Sequence, residues 1–360
     1  MSNQLFENYK LGNNELKNKA VMAPLTRSRA VENNIPNQLM ATYYTQRAGA
    51  GLIITEGTSP SPNGLGYPRI PAMYNQHHVD GWKVITDAVH EKNGKIFLQL
   101  MHCGRVAHHL NLPEGAKVLA PSAIIAEGQM YTDAEGLKEN DLPLEMSNYE
   151  VHEAIEGYVS AAKLAMEAGF DGVEIHGANG YLIEQFLNPN SNDRTDEYGG
   201  SIHNRSSFLL EIVEKTIEAI GAERVGIRLS PNGAFNDMRS YPQMEETYDY
   251  LSKELNKLGV VYIHLLDHSS VGSTPLPVEV RENIRENFKG TLILCGNFDE
   301  KRAKEALANE SADLIAFGRP YLANPDLLER FKAGAKLNEP DMDTFYTPGE
   351  KGYTDYPFMD

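Results

Sequence analysis

Cysteine is nearly absent from this chain of 360 residues, in which only Cys103 and Cys295 occur. Two cysteines cannot build the disulfide framework of a small secreted domain, nor supply the four thiolates of an iron–sulfur cluster. Basic residues are also scarce, with 33 Lys and Arg against 50 Asp and Glu and a formal net charge of −17. This balance argues against nucleic acid or an anionic membrane as the main partner, although it leaves room for a local phosphate pocket.

Long apolar runs and leader signals are missing as well. No apolar stretch approaches the roughly 20 residues that a helix needs to cross a bilayer. The first residues, Met1–Asn8, lack a basic region and an apolar run, so no signal peptide is expected. Together with the low cysteine count, this pattern predicts a cytoplasmic protein.

Several chemical signatures are lacking. The chain has no Gly-x-Gly-x-x-Gly fingerprint after a first strand, no P-loop, no nucleophile elbow and no zinc signature. Two adjacent histidine pairs, His77-His78 and His108-His109, have no carboxylate at ligand spacing. They are interpreted as exposed loop histidines, and no metal is expected.

What is present is a regular alternation of strands and helices without a linker between halves. Eight strand–helix rounds predict an α/β fold, a single (β/α)₈ barrel spanning residues 1–360. Two open doubly wound domains are the alternative. The predicted strands are Ala20–Ala23, Leu52–Thr55, Lys95–Met101, Gly172–His176, Val225–Leu229, Val260–Leu266, Thr291–Cys295 and Asp313–Phe317.

Three segments lie outside this alternation. The Gly12-Asn13-Asn14 turn within Leu5–Lys19 predicts a hairpin ahead of the barrel. Residues 102–146, after the third strand, form a long segment rich in Gly, Pro, Asn and Glu, which is typical of a lid. The tail, residues 338–360, lacks helical periodicity and is expected to be a second cover, with disorder as the alternative.

The fourth predicted strand carries polar residues on the face that a barrel turns inward. Val173 and Ile175 alternate with Glu174 and His176, which is the period of two of a strand. On three other predicted strands, a polar residue also lies on the inward face between aliphatic neighbours: Gln99, Arg228 and His264. Because unpaired polar groups are costly in a dry core, the repetition indicates a polar ligand in the barrel mouth.

The end of the fourth strand adds a group of side chains suited to acid–base chemistry. His176, Asn179 and Tyr181 follow one another at this end, where barrel enzymes keep their active site. An imidazole, an amide and a phenol can together bind an oxygen anion and deliver a proton.

The last two strands point to a phosphate. They end in Cys295-Gly296-Asn297 and Phe317-Gly318-Arg319-Pro320, and loops at these positions often bind phosphate. A head group would then meet Thr26, Gln99 and Arg228. A guanidinium beneath a ring that gains negative charge on reduction fits flavin mononucleotide, FMN. A flavin-free lyase or aldolase for a phosphorylated sugar, and a non-catalytic binder, are the alternatives.

An ordered set of motifs across nearly the whole chain resembles the old yellow enzyme family of flavin-dependent ene-reductases. Within it, the similarity is greatest to the bacterial N-ethylmaleimide, pentaerythritol tetranitrate and morphinone reductases. The motifs are Met22-Ala-Pro-Leu-Thr-Arg27, Gln99-Leu100, His176-Gly-Ala-Asn-Gly-Tyr-Leu182, Gln185-Phe-Leu187, Asn192-Asp-Arg-Thr-Asp-Glu-Tyr-Gly-Gly200, Asn204-Arg205, Gly226-Ile-Arg-Leu-Ser230, Cys295-Gly-Asn297 and Phe317-Gly-Arg-Pro320.

The resemblance implies roles for individual residues. FMN, bound without a covalent link, would be held by Ala23, Pro24, Thr26, Gly57, Gln99, Arg228, Gly296, Asn297, Gly318 and Arg319. His176 and Asn179 would bind the carbonyl or nitro oxygen of an activated alkene, and Tyr181 would donate a proton. NADPH or NADH would be the electron donor.

The resemblance also implies a substrate cavity lined by Tyr67, Met101 and Tyr353. Members of the family commonly have a tryptophan where this chain has Met101. A flexible thioether in place of a broad rigid ring predicts an altered substrate orientation, without an effect on flavin chemistry.

Overall fold

The computed structural model describes residues 4–359 of the chain. Eight parallel strands close into a barrel, and neighbours around it follow chain order. The predicted single (β/α)₈ barrel is therefore confirmed, and the alternative of two open doubly wound domains is wrong. Among the described residues, no helix is both long enough and apolar enough to cross a membrane.

The ends of the eight barrel strands lie within two residues of the predicted bounds, whereas no bounds were predicted for the other strands. In the described residues the strands are β1 (Tyr9–Leu11), β2 (Asn14–Leu16), β3 (Ala20–Met22), β4 (Leu52–Ile54), β5 (Ile96–Leu100), β6 (Leu119–Ala120), β7 (Gln129–Thr132), β8 (Gly136–Glu139), β9 (Leu144–Glu145), β10 (Gly172–Gly177), β11 (Val225–Leu229), β12 (Tyr262–Leu266), β13 (Thr291–Cys295) and β14 (Leu314–Phe317). The barrel consists of β3, β4, β5 and β10 to β14.

The helices cover the outside of the barrel and its rim. They are α1 (Gln38–Gln46), α2 (Gln76–His90), α3 (Asn148–Glu167), α4 (Leu182–Leu187), α5 (Ile202–Ile220), α6 (Met244–Leu258), α7 (Val278–Asn287), α8 (Glu300–Ala308), α9 (Arg319–Ala323) and α10 (Leu327–Ala333). The sequence pattern reveals neither α4 nor α9. They have six and five residues, which is too short to display a period of 3.6.

Local signals set the ends of the long helices. Helix α3 begins with a capping box, in which Ser147 and Glu150 each bond the other's backbone amide. Helix α6 ends at Leu258 and is followed by Gly259, whose φ of 74° is the left-handed conformation that glycine adopts at helix ends. These local signals fix the residues at which the helices begin or end.

The predicted N-terminal hairpin is present as β1 and β2, and it closes the bottom of the barrel. Leu11 and Leu16 are fully buried in the cluster that fills the barrel interior, together with Leu52 and Phe97. The N-terminal end of the barrel is thus sealed by apolar side chains. Among the described residues, the opposite end, where the strands end, is the end left open to a ligand.

Two segments frame that open end. The segment between β5 and α3 contains an antiparallel hairpin, formed by β7 and β8, which we call the lid hairpin. The tail runs back over the rim. Buried Arg27 binds the carbonyl oxygens of Phe345 and Gly352, at 3.1 and 2.6 Å, and Arg29 binds that of Phe345 at 2.6 Å. These arginine contacts fix the tail as an ordered cover.

Candidate active site

A cavity of about 1080 Å³ opens at the C-terminal ends of the barrel strands. It is lined by fourteen of the sixteen site residues that the sequence predicts. These are Ala23, Pro24, Thr26, Tyr67, Gln99, Met101, His176, Asn179, Tyr181, Arg228, Gly296, Asn297, Gly318 and Arg319. The barrel thus brings together residues that are up to 296 positions apart in the chain, from Ala23 to Arg319.

Beneath the cavity, the register of the parallel strands aligns the inward polar residues. Glu174 of β10 pairs with Gln99 of β5, and His176 with Arg228 of β11. The Glu174 carboxylate accepts a hydrogen bond from Gln99 Nε2 at 2.7 Å and contacts His264 Nδ1 at 2.8 Å. With its NH₂ group held by Glu174, Gln99 has its carbonyl oxygen available to a ligand.

Glu174 and His264 form an ion pair in the barrel interior, where both side chains are fully buried. Burial alone raises the pKa of Glu174, but His264 and Arg228 outweigh it and hold that pKa below its usual value. Burial alone lowers the pKa of His264, but Glu174 outweighs it and raises that pKa. The pair is therefore a carboxylate and an imidazolium at moderately acidic to neutral pH.

Arg228 brings a second positive charge to the cavity floor. The residue is 5% exposed, its Nη2 lies 3.7 Å from Cys295 Sγ, and its Nε has no hydrogen-bond partner among the described residues. Burial raises the pKa of the Cys295 thiol, but His264 and Arg228 outweigh it and lower that pKa. A buried donor without a partner is costly, so Arg228 is poised to bind an acceptor from a ligand.

His176 and Asn179 place two N–H donors side by side in the cavity. His176 Nδ1 accepts the backbone N–H of Ala178 at 3.2 Å, so a neutral ring carries its proton on Nε2. Burial, followed by the charge of Arg228, keeps the pKa of His176 well below its usual value, so the ring is neutral. Asn179 Nδ2 lies 3.4 Å from His176 Nε2. Two donors at this separation can share one acceptor oxygen.

His268, a residue outside the predicted site, fixes the Asn179 amide. Its Nε2 lies 2.7 Å from Asn179 Oδ1. Burial, followed by the charge of Arg228, lowers the pKa of His268 to about 4, so at neutral pH the uncharged ring donates from Nε2. This contact turns the NH₂ group of Asn179 toward His176. The sequence could have indicated His268 as a site residue, because it lies just past the end of β12, where barrel enzymes keep their active site.

Tyr181 supplies a hydroxyl on the same side of the cavity. It is 6% exposed and donates a hydrogen bond to the Tyr67 hydroxyl at 3.1 Å. Burial, followed by the neighbouring Tyr67, raises the pKa of Tyr181 well above its usual value. Burial also raises the pKa of Tyr67. Both phenols are thus protonated at neutral pH, and once Tyr181 has given up its proton, Tyr67 can replace it.

The far end of the cavity is shaped by the turns after β13 and β14. Gly296 has a φ of 132°, and a Cβ there would lie 2.6 Å from the carbonyl oxygen of Asp267. Asn297 follows with a φ of 53°. Arg319 lines the cavity where α9 begins. Backbone amides and a guanidinium near one another suit a phosphate.

Two predicted site residues do not line the cavity. Tyr353 is fully buried, stacks on Tyr43 at a centroid distance of 4.1 Å, and lies beside Arg27 and Arg29. It anchors the tail, and the expectation that it lines the substrate cavity is wrong. Gly57 lies behind Met101, where a Cβ would be 2.4 Å from the Met101 sulfur. Gly57 therefore makes room for Met101 rather than lining the cavity itself.

The expectation of exposed histidine pairs is wrong for one member of each pair. His78 is fully buried, and its Nε2 lies 2.9 Å from the Asn33 carbonyl oxygen. His108 is 7% exposed. His108, His109 and Asp141 group together, so a carboxylate does lie within reach. However, His108 Nδ1 already accepts the Leu110 N–H at 3.2 Å, which occupies the one lone pair of a neutral ring.

The lid hairpin and the tail add cavity walls that the sequence does not assign to individual residues. The added residues include Met130, Tyr131 and Leu137 from the lid hairpin, and Met342, Phe345 and Tyr346 from the tail. Arg69 joins the two walls. It is paired with Asp133 at the tip of the lid hairpin, and its Nη2 donates to the Tyr346 carbonyl oxygen at 2.8 Å.

Comparisons with known proteins agree with this geometry. The sequence profile of the NADH:flavin oxidoreductase / NADH oxidase family matches residues 4–338. A probable flavin mononucleotide-dependent alkene reductase of Leishmania infantum is 43% identical over 354 residues, which cover 97% of this chain and 96% of that protein.

Solved structures are similarly close. Morphinone reductase in complex with tetrahydroNAD superposes with a TM-score of 0.94 at 45% identity, covering 100% of this chain and 98% of that one. An old yellow enzyme homologue from Zymomonas mobilis gives a TM-score of 0.94 at 39% identity, covering 99% of both chains. The chain therefore belongs to the NADH:flavin oxidoreductase / NADH oxidase family, the family of the old yellow enzymes.

Proposed function

We propose that this protein reduces the C=C bond of activated alkenes, with FMN as its cofactor and a nicotinamide as electron donor. The substrate class comprises α,β-unsaturated carbonyl compounds and maleimides, and extends to nitroalkenes. The observation that carries the proposal is the pair of neutral donors, His176 Nε2 and Asn179 Nδ2, 3.4 Å apart and next to the protonated Tyr181. Such a site binds the oxygen of an electron-withdrawing group and has a proton ready beside it.

The residues on the cavity floor fit FMN. Arg228 Nε is buried without a partner among the described residues, and Gln99 has its amide oxygen available. Together they would hold the pyrimidine side of the flavin ring, with Ala23, Pro24 and Thr26 along the ring. Gly296, Asn297, Gly318 and Arg319 would hold the phosphate. When bound, FMN supplies the hydride for the alkene β-carbon.

The protein's own residues have separate tasks in the reaction. His176 and Asn179 would bind the carbonyl or nitro oxygen and stabilise the negative charge that develops there. Tyr181 would deliver a proton to the α-carbon, replenished by Tyr67 at 3.1 Å. Met101, with Tyr131 and Leu137 of the lid hairpin, would shape the space for the rest of the substrate.

The electron donor is NADPH or NADH. The complex of morphinone reductase with tetrahydroNAD supports a nicotinamide as a ligand of this fold. A cytoplasmic location is part of the proposal, because Cys103 and Cys295 are both buried and free, as is common for a protein from a reducing compartment.

The alternative enzyme, a flavin-free aldolase or lyase, needs a Schiff-base lysine or a metal at the ligand. No lysine is among the cavity-lining residues in the described part of the chain. The His108, His109 and Asp141 group lies outside that lining. The cavity therefore favours hydride chemistry over either alternative activation.

Purification provides the direct test of the function. We expect a yellow protein that releases FMN on denaturation, is bleached by NADPH or NADH without oxygen, and regains colour with 2-cyclohexenone. The product should be cyclohexanone, identified by gas chromatography. A colourless protein that takes up no added FMN would contradict the proposal. A yellow protein that is bleached but never reoxidised by any enone would leave only a flavin-binding role.

Arg228→Ala is expected to weaken FMN binding by about 10- to 100-fold, because a hydrogen bond to a charged group contributes about 1.5 to 3 kcal/mol. The Kd is measured by titrating the flavin-free protein with FMN and following flavin fluorescence. Arg228→Lys is the matched control, since it keeps the charge and loses the forked donors. The Kd of the Arg228→Lys protein should lie between those of the wild-type and Arg228→Ala proteins. Equal Kd values for the Arg228→Ala and wild-type proteins would assign Arg228 a purely structural role.

A further inference from the structure

The turn that presents Asn179 and Tyr181 has an unusual backbone. Asn179 and Gly180 adopt consecutive positive φ values of 60° and 72°. A Cβ on Gly180 would also lie 2.7 Å from the carbonyl oxygen of Phe235. Two left-handed residues in a row persist only when surrounding contacts hold them. The contacts that hold this turn therefore decide where the oxygen-binding donors point.

Asn236 Nδ2 and Gln185 Nε2 donate to the two carbonyl oxygens of this turn, at 2.7 Å each. The contacts to its two backbone amides converge instead on Glu184 of helix α4, which is 5% exposed. Its Oε2 accepts the backbone N–H of Gly180 at 2.7 Å. The Ser230 hydroxyl lies 3.1 and 3.0 Å from Oε1 and Oε2, and it accepts the backbone N–H of Asn179 at 3.0 Å. Both amides of the turn are thus tied to one carboxyl group, one directly and one through Ser230.

The hydrogen-bond partners of Glu184 are one backbone amide and two hydroxyls, all of them neutral. Tyr248 of helix α6 donates to Oε1 at 3.4 Å, and Tyr241 and Arg239 line a small cavity beside the carboxyl group. No hydrogen bond or ion pair joins Glu184 to a charged side chain among the described residues. Burial raises the pKa of Glu184 to about 7, although the Gly180 amide, Ser230 and Tyr248 oppose that rise.

We propose that Glu184 is a positioning residue for the reaction: its carboxylate, acting through the Gly180 amide and Ser230, holds the turn that presents Asn179 and Tyr181 to the substrate. This inference rests on the proposed reduction of activated alkenes. A carboxylate accepts these hydrogen bonds with the aid of its charge. When Glu184 is protonated, one oxygen becomes a donor and the hold on the turn weakens.

The titration of Glu184 predicts a pH dependence of substrate binding. Because the pKa of Glu184 is raised to about 7, the carboxyl group is protonated below neutral pH and ionised above it. Substrate binding should therefore weaken as the pH falls through neutrality. His176 and Tyr181 have pKa values far from this range, and that of His268 lies at about 4. The Glu174–His264 pair can titrate elsewhere in the barrel, so a variant of Glu184 is needed to assign the effect.

The decisive variant is Glu184→Gln, which keeps the shape of the side chain and removes both its charge and its titration. We expect KM for 2-cyclohexenone to be raised by about 10-fold at alkaline pH, with a smaller change in kcat. The reason is that the Gly180 amide and Ser230 would then bind a neutral amide oxygen in place of a carboxylate, which weakens the hydrogen bonds that hold the turn. Between about pH 5.5 and about pH 8.5, wild-type KM should rise with acidity, while that of the variant stays flat. Glu184→Asp should restore the pH dependence in part.

Glu211→Gln is the matched control. Glu211 also accepts a tyrosine hydroxyl, that of Tyr198, at 3.2 Å, but it lies on α5 and does not line the cavity. This variant should keep wild-type KM and its pH profile. Ser230→Ala provides a second route, because it cuts the link to the Asn179 amide while Glu184 stays. It should raise KM even if the Glu184 variant folds poorly.

Hydrogen exchange gives a readout independent of activity. At one alkaline pH, the peptide spanning residues 178–183 should exchange faster in the Glu184→Gln protein than in wild type, with the outer helices unchanged. Wild-type exchange together with a wild-type pH profile would overturn the proposal. If the wild-type protein reduces no enone, the proposed function fails, and exchange in this peptide still decides whether Glu184 holds the turn.

Discussion

Tyr181→Phe is expected to slow oxidation of the reduced enzyme by a simple enone about 10²- to 10⁴-fold, the usual contribution of a positioned general acid. Reduction of the enzyme by the nicotinamide should be nearly unchanged, since that step needs no proton from Tyr181. The physical reason is the raised pKa of this buried phenol, which keeps its proton available at neutral pH. Stopped-flow absorbance of the flavin measures the two half-reactions separately.

Two comparisons sharpen this prediction. A quinone, which needs no proton on carbon, should lose much less rate than the enone in the Tyr181→Phe protein. Tyr67→Phe is the matched control, because it removes the hydroxyl 3.1 Å away and leaves Tyr181 in place. Its effect on the enone should be smaller. Equal slowing of both half-reactions would indicate a damaged fold, whereas unchanged rates would mean that solvent supplies the proton.

Glu174→Ala is expected to lower the free energy of unfolding by about 3 to 5 kcal/mol, the usual cost of breaking a buried ion pair. The variant leaves the His264 imidazolium and Arg228 without a carboxylate in the barrel interior, and Gln99 loses its anchor at 2.7 Å. Thermal unfolding of the holoprotein, followed by calorimetry, should show a clear drop in Tm. FMN content should fall as well, because Gln99 and Arg228 lose their support.

The difference in stability should depend on pH in a defined direction. The pKa of Glu174 is lowered, so its contribution is present above the unfolded value of about 4.3 and is lost as the pH falls. The pKa of His264 is raised, so its contribution is present below the unfolded value of about 6.5 and is lost as the pH rises. The gap between wild type and variant should therefore be widest between these two values.

A double variant tests whether the pair, rather than the space it fills, is responsible. Replacing Glu174 and His264 together by Leu removes both charges and should recover part of the lost stability. If Glu174→Ala unfolds at the wild-type temperature across the whole pH range, the ion pair makes no net contribution to stability.

Much of the barrel could be read from the sequence, because its strands have a period of two that is local to each segment. The inward direction of Gln99, Glu174, His176 and Arg228 follows from their aliphatic neighbours alone. Eight strand–helix rounds indicate that the sheet closes into a barrel. Closure of the barrel places all these side chains toward the same end of it. Short helices such as α4 and α9 escaped detection, because five or six residues do not display a helical period.

Individual contacts were harder to predict where they join loops. Tyr353 was expected in the cavity, yet it stacks on Tyr43 beneath the tail. His78 was expected to be exposed, yet it is buried against the Asn33 carbonyl. For both residues, the residue type alone does not indicate which distant group the side chain contacts. Glu184 did leave a trace, as the one acidic residue in the otherwise uncharged run Leu182–Leu187.

The sequence by itself determined the fold, the end of the barrel that holds the site, and the identity of the polar residues facing it. These follow from patterns that repeat every two residues and from the order of the elements. Only the tertiary structure decided how those residues are oriented. His268 turns the amide of Asn179, Glu174 turns that of Gln99, and Glu184 holds the turn at Gly180. Most of these contacts join segments from different strands or loops, so their geometry exists only once the barrel has closed.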